Sequence, residues 1–266
     1  MRMLFLATLL AAAPALLAQQ DEAEWLEDCR DQQNPRRVPH CEIRNTGYRQ
    51  AAGGMLVSEQ NQNGGVTVRG WDRDSVHVQA RIRAVARTEQ EARGIAERIR
   101  VLVERGNVDA TGPSSDREAS WHVNFVIFVP RRTDVRAEAH NGPVKVEQVE
   151  GNIDVRAVNG PISLRDLAGD VRARGQNGPV SVRLSGTRWN GAGLDAETQN
   201  GPMLLYIPEG YNARLETGTT NGPMSIAFPI TVMGHALERR ITTTLGDGGP
   251  TIRARTQNGP LTIRRP

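Results

Sequence analysis

Aromatic residues are scarce in this sequence: phenylalanine, tryptophan and tyrosine together make up 4% of its 266 residues. Hydrophobic residues of all kinds reach 38%, whereas glycine occurs 27 times. This composition has too few large side chains to fill a thick two-layer core. It is typical of a fold made of many short strands joined by tight turns.

Long apolar runs are also lacking, except at the N-terminus. Arg2 precedes an apolar run from Met3 to Ala13, and small residues follow, which is the layout of a secretory signal peptide. We predict a signal peptide over residues 1–18 with cleavage after Ala18, and cleavage after Ala15 is the alternative. The run is too short to anchor the chain across a bilayer. We therefore expect a periplasmic or extracellular protein with no transmembrane segment.

Cysteine is nearly absent, and Cys29 and Cys41 are the only two. In an oxidising compartment an even number of cysteines favours a disulfide. A bridge across so short a loop adds about 2–3 kcal/mol by restricting the unfolded chain. A metal site would need more ligands than the neighbouring His40 supplies. We therefore predict a disulfide in an N-terminal segment of residues 19–50.

An excess of charge of one sign is missing too. The chain has 33 Lys and Arg residues against 30 Asp and Glu, a net charge of +3 at pH 7. Both signs alternate along the sequence and no basic block forms. This pattern argues against nucleic acid as a partner.

The dominant positive feature is a repeated Asn-Gly-Pro tripeptide. The first three copies recur at a constant interval, and the next two steps are somewhat longer. Asn and Gly enter positive φ at low cost, and Pro is tolerated at the first residue of a strand. We interpret the tripeptides as structural turns of a repeat protein. They are Asn141-Gly142-Pro143, Asn159-Gly160-Pro161, Asn177-Gly178-Pro179, Asn200-Gly201-Pro202, Asn221-Gly222-Pro223 and Asn258-Gly259-Pro260.

Between the turns, apolar and polar residues alternate with period two. Aligning the first three units on their turns brings Val144, Ile162 and Val180 into one column, with polar residues in the next column. This alternation predicts strands with one face inward. Strands at the same position of successive units then run parallel, and parallel connections are right-handed. Antiparallel hairpins are the alternative, since Asn-Gly also favours hairpin turns, but the column match at a fixed offset argues against them.

The predicted fold is all-β: a right-handed single-stranded parallel β-helix, or β-solenoid. It spans residues 51–266, irregular over 51–130 and regular over 131–266. One short α-helix is predicted near residues 88–100, inserted beside the coil or capping its open end, because Thr88 and Glu91 form a capping box before an apolar stripe. The final strand is followed by charges and Pro, which discourage edge-to-edge pairing, so we expect a monomer.

Several of these motifs together resemble a known family. They are the turn Asn63–Gly65, the segment Val66–Asp72, a strand ending at Val129–Pro130, and the repeated Asn-Gly units. The sequence from about Met55 onward resembles the bacterial "putative adhesin" β-strand-repeat family, a domain of unknown function akin to autotransporter-adhesin head domains. The resemblance implies a right-handed β-helix without known catalytic residues. The strict Asn-Gly-Pro form and the cysteine pair depart from the family's pattern.

Enzymatic activity is the main alternative, because parallel β-helices also carry polysaccharide-cleaving sites. Such sites need clustered carboxylates. Asp72 and Asp74, beside Trp71, form the one close acidic pair near an aromatic, and we interpret them as a solvated turn. The five histidines show no metal-ligand spacing, and no catalytic motif appears. We expect no catalysis, no metal and no cofactor.

The predicted function is therefore that of an exported, non-enzymatic solenoid presenting a surface for protein or glycan contact, with an unknown partner. A scaffold for envelope structure or stress signalling is the first alternative, and a polysaccharide-active β-helix enzyme is the second. Trp189 is our expected contact residue, because an aromatic on a glycine-rich loop can anchor a partner. The competing interpretation is that Trp189 folds back over the edge of a coil.

Overall fold

The computed structural model describes residues 13–31, 37–104, 106–227, 236–237 and 239–266. Strands dominate these residues, with two helices beside them. In chain order the elements are α1 (Ala13–Asp31), β1 (Val38–Arg49), β2 (Gly54–Asn63), β3 (Val66–Trp71), β4 (Ser75–Ala86), α2 (Glu89–Arg98), β5 (Arg100–Glu104), β6 (Asn107–Thr111), β7 (Ser120–Pro130), β8 (Thr133–Asn141), β9 (Val144–Glu147), β10 (Glu150–Asn159), β11 (Ile162–Arg165), β12 (Ala168–Asn177), β13 (Val180–Arg183), β14 (Gly193–Asn200), β15 (Met203–Tyr206), β16 (Ala213–Asn221), β17 (Met224–Ile226), β18 (Ala236–Leu237), β19 (Arg240–Leu245), β20 (Thr251–Asn258) and β21 (Leu261–Arg264).

The strands form two long sheets, and each coil of the repeat region gives one strand to each sheet. The ten-stranded sheet has the order β1-β4-β7-β3-β9-β11-β13-β15-β21-β17. The eleven-stranded sheet has the order β18-β19-β16-β20-β14-β12-β10-β8-β2-β6-β5. The Asn-Gly-Pro turns carry the chain from the eleven-stranded sheet to the ten-stranded sheet.

Successive coils of the repeat region pair in parallel at an offset of one repeat. Ile153 lies opposite Val171, and Ile162 lies opposite Val180. These partners are the ones that the sequence columns predict, so the β-solenoid is confirmed. The hairpin alternative does not hold for the repeats, because their strands are parallel.

The core is a narrow strip between the two sheets, filled by the inward columns. Val146, Leu164 and Val182 from the ten-stranded sheet are at most 2% exposed, and Val155 and Ala173 from the eleven-stranded sheet are fully buried. Burying a Val or Leu side chain contributes about 1.5–3 kcal/mol. Since each coil supplies only a few such residues, stability depends on stacking many coils.

The turns bring the backbones of neighbouring coils very close together. A Cβ atom added to Gly160 would lie 2.1 Å from the carbonyl oxygen of Gly142. The Gly160 N–H donates to Asn177 O of the next coil at 3.1 Å. Beside the glycines, the Asn159 amide accepts from Asn177 Nδ2 at 3.0 Å and donates to Asn141 Oδ1 at 2.9 Å. The same contact repeats along the turns as a ladder of amides.

The region before the repeats is less solenoid-like than predicted. The first coil, β2 and β3, stacks in parallel on β8 and β9. Between them the chain leaves the coil, and β4 pairs antiparallel with both β1 and β7. The predicted helix is present as α2, with the capping box of Thr88 and Glu91, and it packs beside the solenoid on β4 and β1.

The order of the last coils differs from the order of the sequence. The final coil, β20 and β21, lies between the coil of β14 and β15 and the coil of β16 and β17. The chain's last strand is therefore internal, contrary to the expectation that it ends an open coil. The antiparallel hairpin of β18 and β19 adds to β16 at that end of the eleven-stranded sheet instead.

The predicted disulfide joins helix α1 to strand β1 of the ten-stranded sheet. Cys29 in α1 and Cys41 in β1 are bonded and buried, with 6.3 Å between their Cα atoms. The predicted signal peptide over residues 1–18 falls mainly outside the described residues, and its cleavage stays a prediction. Within the described residues, no helix combines the length and apolar character that a bilayer crossing requires.

Candidate functional site: the outer faces of the two sheets

Trp189, the contact residue expected from the sequence, lies in the core. It is 4% exposed, and its indole Nε1 donates to Gly169 O at 2.9 Å. Its position agrees with the competing interpretation from the sequence, in which the ring folds back over the edge of a coil. A buried ring whose N–H is already bonded is not available to anchor a partner.

The acidic pair near Trp71 is a surface turn. Arg131 Nε donates to Asp72 Oδ1 at 2.6 Å, and this hydrogen bond holds the pKa of the exposed Asp72 carboxyl below its usual value. The Trp71 ring packs on Phe128, with 5.4 Å between ring centroids, and the Arg73 guanidinium lies over it at 4.9 Å. A carboxylate bonded to arginine in this way is a solvated ion pair.

The histidines are spread over the molecule. Burial lowers the pKa of His122 in β7 and of His77 in β4 below the usual value for histidine. In the described part of the chain, no three His, Cys, Asp or Glu side chains come together in a group able to hold a metal ion.

The outer face of the eleven-stranded sheet carries charges that neutralise one another. One column of this face alternates in sign from coil to coil. Arg253 joins two of its carboxylates, with Nη2 2.8 Å from Glu216 Oε2 and Nη1 3.5 Å from Asp195 Oδ2. The hydrogen bond from Arg253 lowers the pKa of Glu216. In stacking order the column consists of Arg136, Asp154, Arg172, Asp195, Arg253 and Glu216.

A shallow groove of about 470 Å³ crosses this face beside the turns. Glu197 lies 3.7 Å from Arg174 and 3.8 Å from Arg255. These arginines also reach Asp195 at 3.0 Å and Glu216 at 3.3 Å, respectively. The eleven-stranded face is thus polar and internally paired, and a charged partner would have to replace existing ion pairs.

The outer face of the ten-stranded sheet has a different charge pattern. Its main column is basic, since the structure aligns arginines from four strands that are far apart in sequence. We call this set the basic column. In stacking order it consists of Arg69, Glu147, Arg165, Arg183, Tyr206 and Arg264.

The basic side chains in the first half of the basic column form ion pairs with one shared carboxylate, that of Glu147. Glu147 is 13% exposed and lies 3.3 Å from Arg69 Nε, 2.9 Å from Lys145 Nζ and 3.9 Å from Arg165 Nη1. Arg165 also reaches Asp166 at 3.6 Å. Three cations therefore share Glu147, and Asp166 adds a second carboxylate, so each arginine in this half of the column has an ion-pair partner.

The second half of the basic column has fewer carboxylates beside its arginines. The Arg183 guanidinium lies over the Tyr206 ring, 4.7 Å from its centroid, and Arg264 is exposed on the other side of Tyr206. Neither arginine forms an ion pair with any carboxylate of the described residues. Two coils away from Glu147, the face therefore presents guanidinium groups with unused donors.

A second column runs alongside and is rich in hydroxyl groups. Ser163 lies opposite Ser181, and Thr262 lies two coils further along, opposite Leu204. At about 4.8 Å between strands, the five steps from Arg69 to Arg264 cover roughly 24 Å. The face therefore presents an extended array of guanidinium, hydroxyl and ring groups.

The comparisons with known proteins concern the fold. No protein-family model and no curated protein matches the chain. A solved structure named as a putative cell adhesion protein from Clostridium sporogenes is 10% identical, with 86% of this chain and 100% of that chain covered and a TM-score of 0.45. Putative adhesins from Bacteroides fragilis (10% identity, 85% and 97% covered, TM-score 0.31) and Parabacteroides distasonis (7%, 85% and 97%, TM-score 0.36) are also similar. These three structures are named as a putative cell adhesion protein and putative adhesins, in line with the family that the sequence resembles.

Helix α1 covers the ten-stranded face at the head of the basic column. Asp21 Oδ2 lies 2.7 Å from Arg81 Nη2 and 3.7 Å from Arg69 Nη1. Glu22 Oε1 accepts from Gln79 Nε2 at 2.7 Å. Asp21 of α1 thus pairs with the basic side chains at this end, whereas no contact with α1 involves Arg165, Arg183 or Arg264 among the described residues.

Sequence reasoning missed the basic column, although part of its signal was visible. The fourth residue after each turn is Glu147, Arg165 and Arg183 in the first three repeats, and Tyr206 and Arg264 in later ones. The first three positions recur at the constant repeat interval, so the sequence already places them in one column. Insertions separate Tyr206 and Arg264 from them, and only the strand register shows that these two continue the column.

Proposed function

We propose that this protein is an exported, non-enzymatic β-solenoid that uses the outer face of its ten-stranded sheet to contact a protein or a glycan of the cell envelope. The observation that carries the proposal is the pair Arg183 and Arg264, two exposed or half-exposed guanidinium groups aligned on one face without carboxylate partners among the described residues. Guanidinium groups in this state bind anionic groups through paired hydrogen bonds.

The contrast between the two faces supports the choice of surface. On the eleven-stranded face a partner gains little from a new ion pair, because an existing one is lost. On the ten-stranded face no such exchange is needed at Arg183 or Arg264. The buried disulfide supports a location outside the cytoplasm, since disulfides persist in oxidising compartments. Periplasmic or extracellular release after cleavage of residues 1–18 is part of the proposal.

The test compares two double variants that remove the same charge from opposite faces. Arg183→Gln with Arg264→Gln changes the ten-stranded face. The matched control is Arg156→Gln with Arg172→Gln, which changes two exposed arginines of the eleven-stranded face. The exported protein, with its disulfide intact, is mixed with envelope fractions, and bound protein is measured after sedimentation.

We expect the first double variant to lose binding and the control to retain it. Equal loss in both variants would mean that net charge alone drives association. Retention of binding in both would remove the ten-stranded face from the proposal. Circular dichroism and melting curves of both variants verify that the fold is unchanged.

A further inference from the structure

The chemistry of the basic column points to one class of partner. We infer that the ten-stranded face binds a linear acidic polysaccharide, which lies across the coils along the basic column. This inference rests on the proposed function and names the partner of the same surface. It depends on charge spacing, on the side chains between the charges, and on an anion contact already made within the molecule.

Charge spacing is the first step of the argument. Arg165 and Arg183 lie on adjacent strands, and Arg264 lies two strands beyond Arg183. Neighbouring strands are about 4.8 Å apart, so the cations follow one another along a line at steps of one or two strands. A linear polymer with a carboxylate or sulfate on its repeating unit matches such a line with many weak contacts. A small anion would use only one or two of them.

The side chains between the cations are the second step. The half-exposed Tyr206 ring lies between Arg183 and Arg264, and the hydroxyls of Ser181 and Thr262 are in the adjacent column. Each hydroxyl both donates and accepts hydrogen bonds, which suits the hydroxyl groups of a sugar. An aromatic ring supplies an apolar platform with a polar tip. The face therefore offers groups for the sugar rings as well as for their charges.

The third step is the contact with α1. Asp21 of this helix lies 3.7 Å from Arg69 at the head of the basic column. Glu22, the next residue of the helix, accepts a hydrogen bond from Gln79 of β4. The face thus already accommodates carboxylates at one end, and the exposed remainder from Arg165 to Arg264 continues the same line of cations.

The experiment uses three polymers and the variants already described. Polygalacturonate supplies carboxylates, dextran sulfate supplies sulfates, and neutral dextran supplies neither. Binding of the exported protein is measured by biolayer interferometry at two salt concentrations. We expect both acidic polymers to bind, more weakly at high salt, and neutral dextran not to bind.

The variants locate the site. Arg183→Gln with Arg264→Gln is expected to weaken polygalacturonate binding by about tenfold or more, because two charge-assisted contacts are lost. Arg156→Gln with Arg172→Gln is expected to change it by less than about twofold. Ser181→Glu is a second, independent variant: it places a carboxylate beside the basic column and is expected to weaken binding as well.

Four outcomes would overturn the inference. If neutral dextran binds as well as the acidic polymers, charge does not select the partner. If the control variant weakens binding as much as the first, the site is not the basic column. If an envelope protein binds through Arg183 and Arg264 while no acidic polymer does, the partner class is wrong and the proposed function stands. If nothing binds and both double variants behave alike in envelope fractions, the proposed function fails too.

Discussion

The amide ladder at the turns should contribute to stability in proportion to its hydrogen bonds. Asn159 makes two of them: it donates to Asn141 at 2.9 Å and accepts from Asn177 at 3.0 Å. Asn221, at the end of the ladder, makes one, donating to Asn258 at 2.8 Å. A net contribution of about 0.5–1 kcal/mol per bond, at the lower end because these amides are exposed, gives about 1–2 kcal/mol lost in Asn159→Ala. The loss in Asn221→Ala is then about half of that.

The assay is urea unfolding followed by tryptophan fluorescence, to which the buried Trp189 contributes a signal from the repeat region. Gln176→Ala is the matched control, since this exposed side chain of β12 makes no hydrogen bond within the described residues. We expect the control to stay within about 0.5 kcal/mol of the parent. Equal losses in Asn159→Ala and Asn221→Ala, or a loss in Asn159→Ala no larger than the control's, would refute the reasoning.

Three further predictions concern the turns, pH and the disulfide. Gly160→Ala places a Cβ 2.1 Å from Gly142 O and should cost about 3 kcal/mol in thermal unfolding; an unchanged melting temperature would contradict the close packing of the turns. Burial lowers the pKa of His122 in the folded protein below its usual 6.5. Above pH 6.5 the side chain is neutral in both the folded and the unfolded chain. As the pH falls through and below 6.5, the unfolded chain binds the proton more readily than the folded chain, so the free energy of unfolding decreases. His122→Gln should flatten the fall in melting temperature between pH 7.5 and 5, and parallel curves would disprove this. Reduction of the Cys29–Cys41 disulfide should lower the free energy of unfolding by about 3 kcal/mol, whereas the stability of a Cys29→Ser, Cys41→Ser variant should not change with reductant. Identical melting of the unsubstituted protein in its oxidised and reduced forms would refute this prediction.

Much of the architecture follows from local pattern. Alternation with period two determines which side chains point inward, and the match between successive repeats places Ile153 beside Val171 in parallel strands. The capping box of Thr88 determines where α2 begins, because it satisfies N–H groups that the first helical turn leaves free. These features depend on residues close in sequence or on a fixed repeat, and so they can be predicted.

The candidate site is different, because it depends on which coils are neighbours. Arg183 and Arg264 are separated by more than one turn of the repeat and by irregular insertions, yet Tyr206 alone lies between them on the face. Trp189 illustrates the same difficulty: a loop aromatic looks available in the sequence, but the tertiary structure offers it a buried place and the Gly169 carbonyl.

The sequence by itself determined the strands, their inward faces, the turns and the parallel stacking of coils. Only the tertiary structure decided that the final coil enters between two earlier ones, that β4 pairs antiparallel with β1 and β7, and that arginines from distant coils line up on one face. The physical reason is that the coils carry nearly the same hydrogen-bonding edge and the same apolar columns. Because of this likeness, the local sequence pattern would allow any two coils to stack on each other. The packing of the whole chain determines which coils become neighbours.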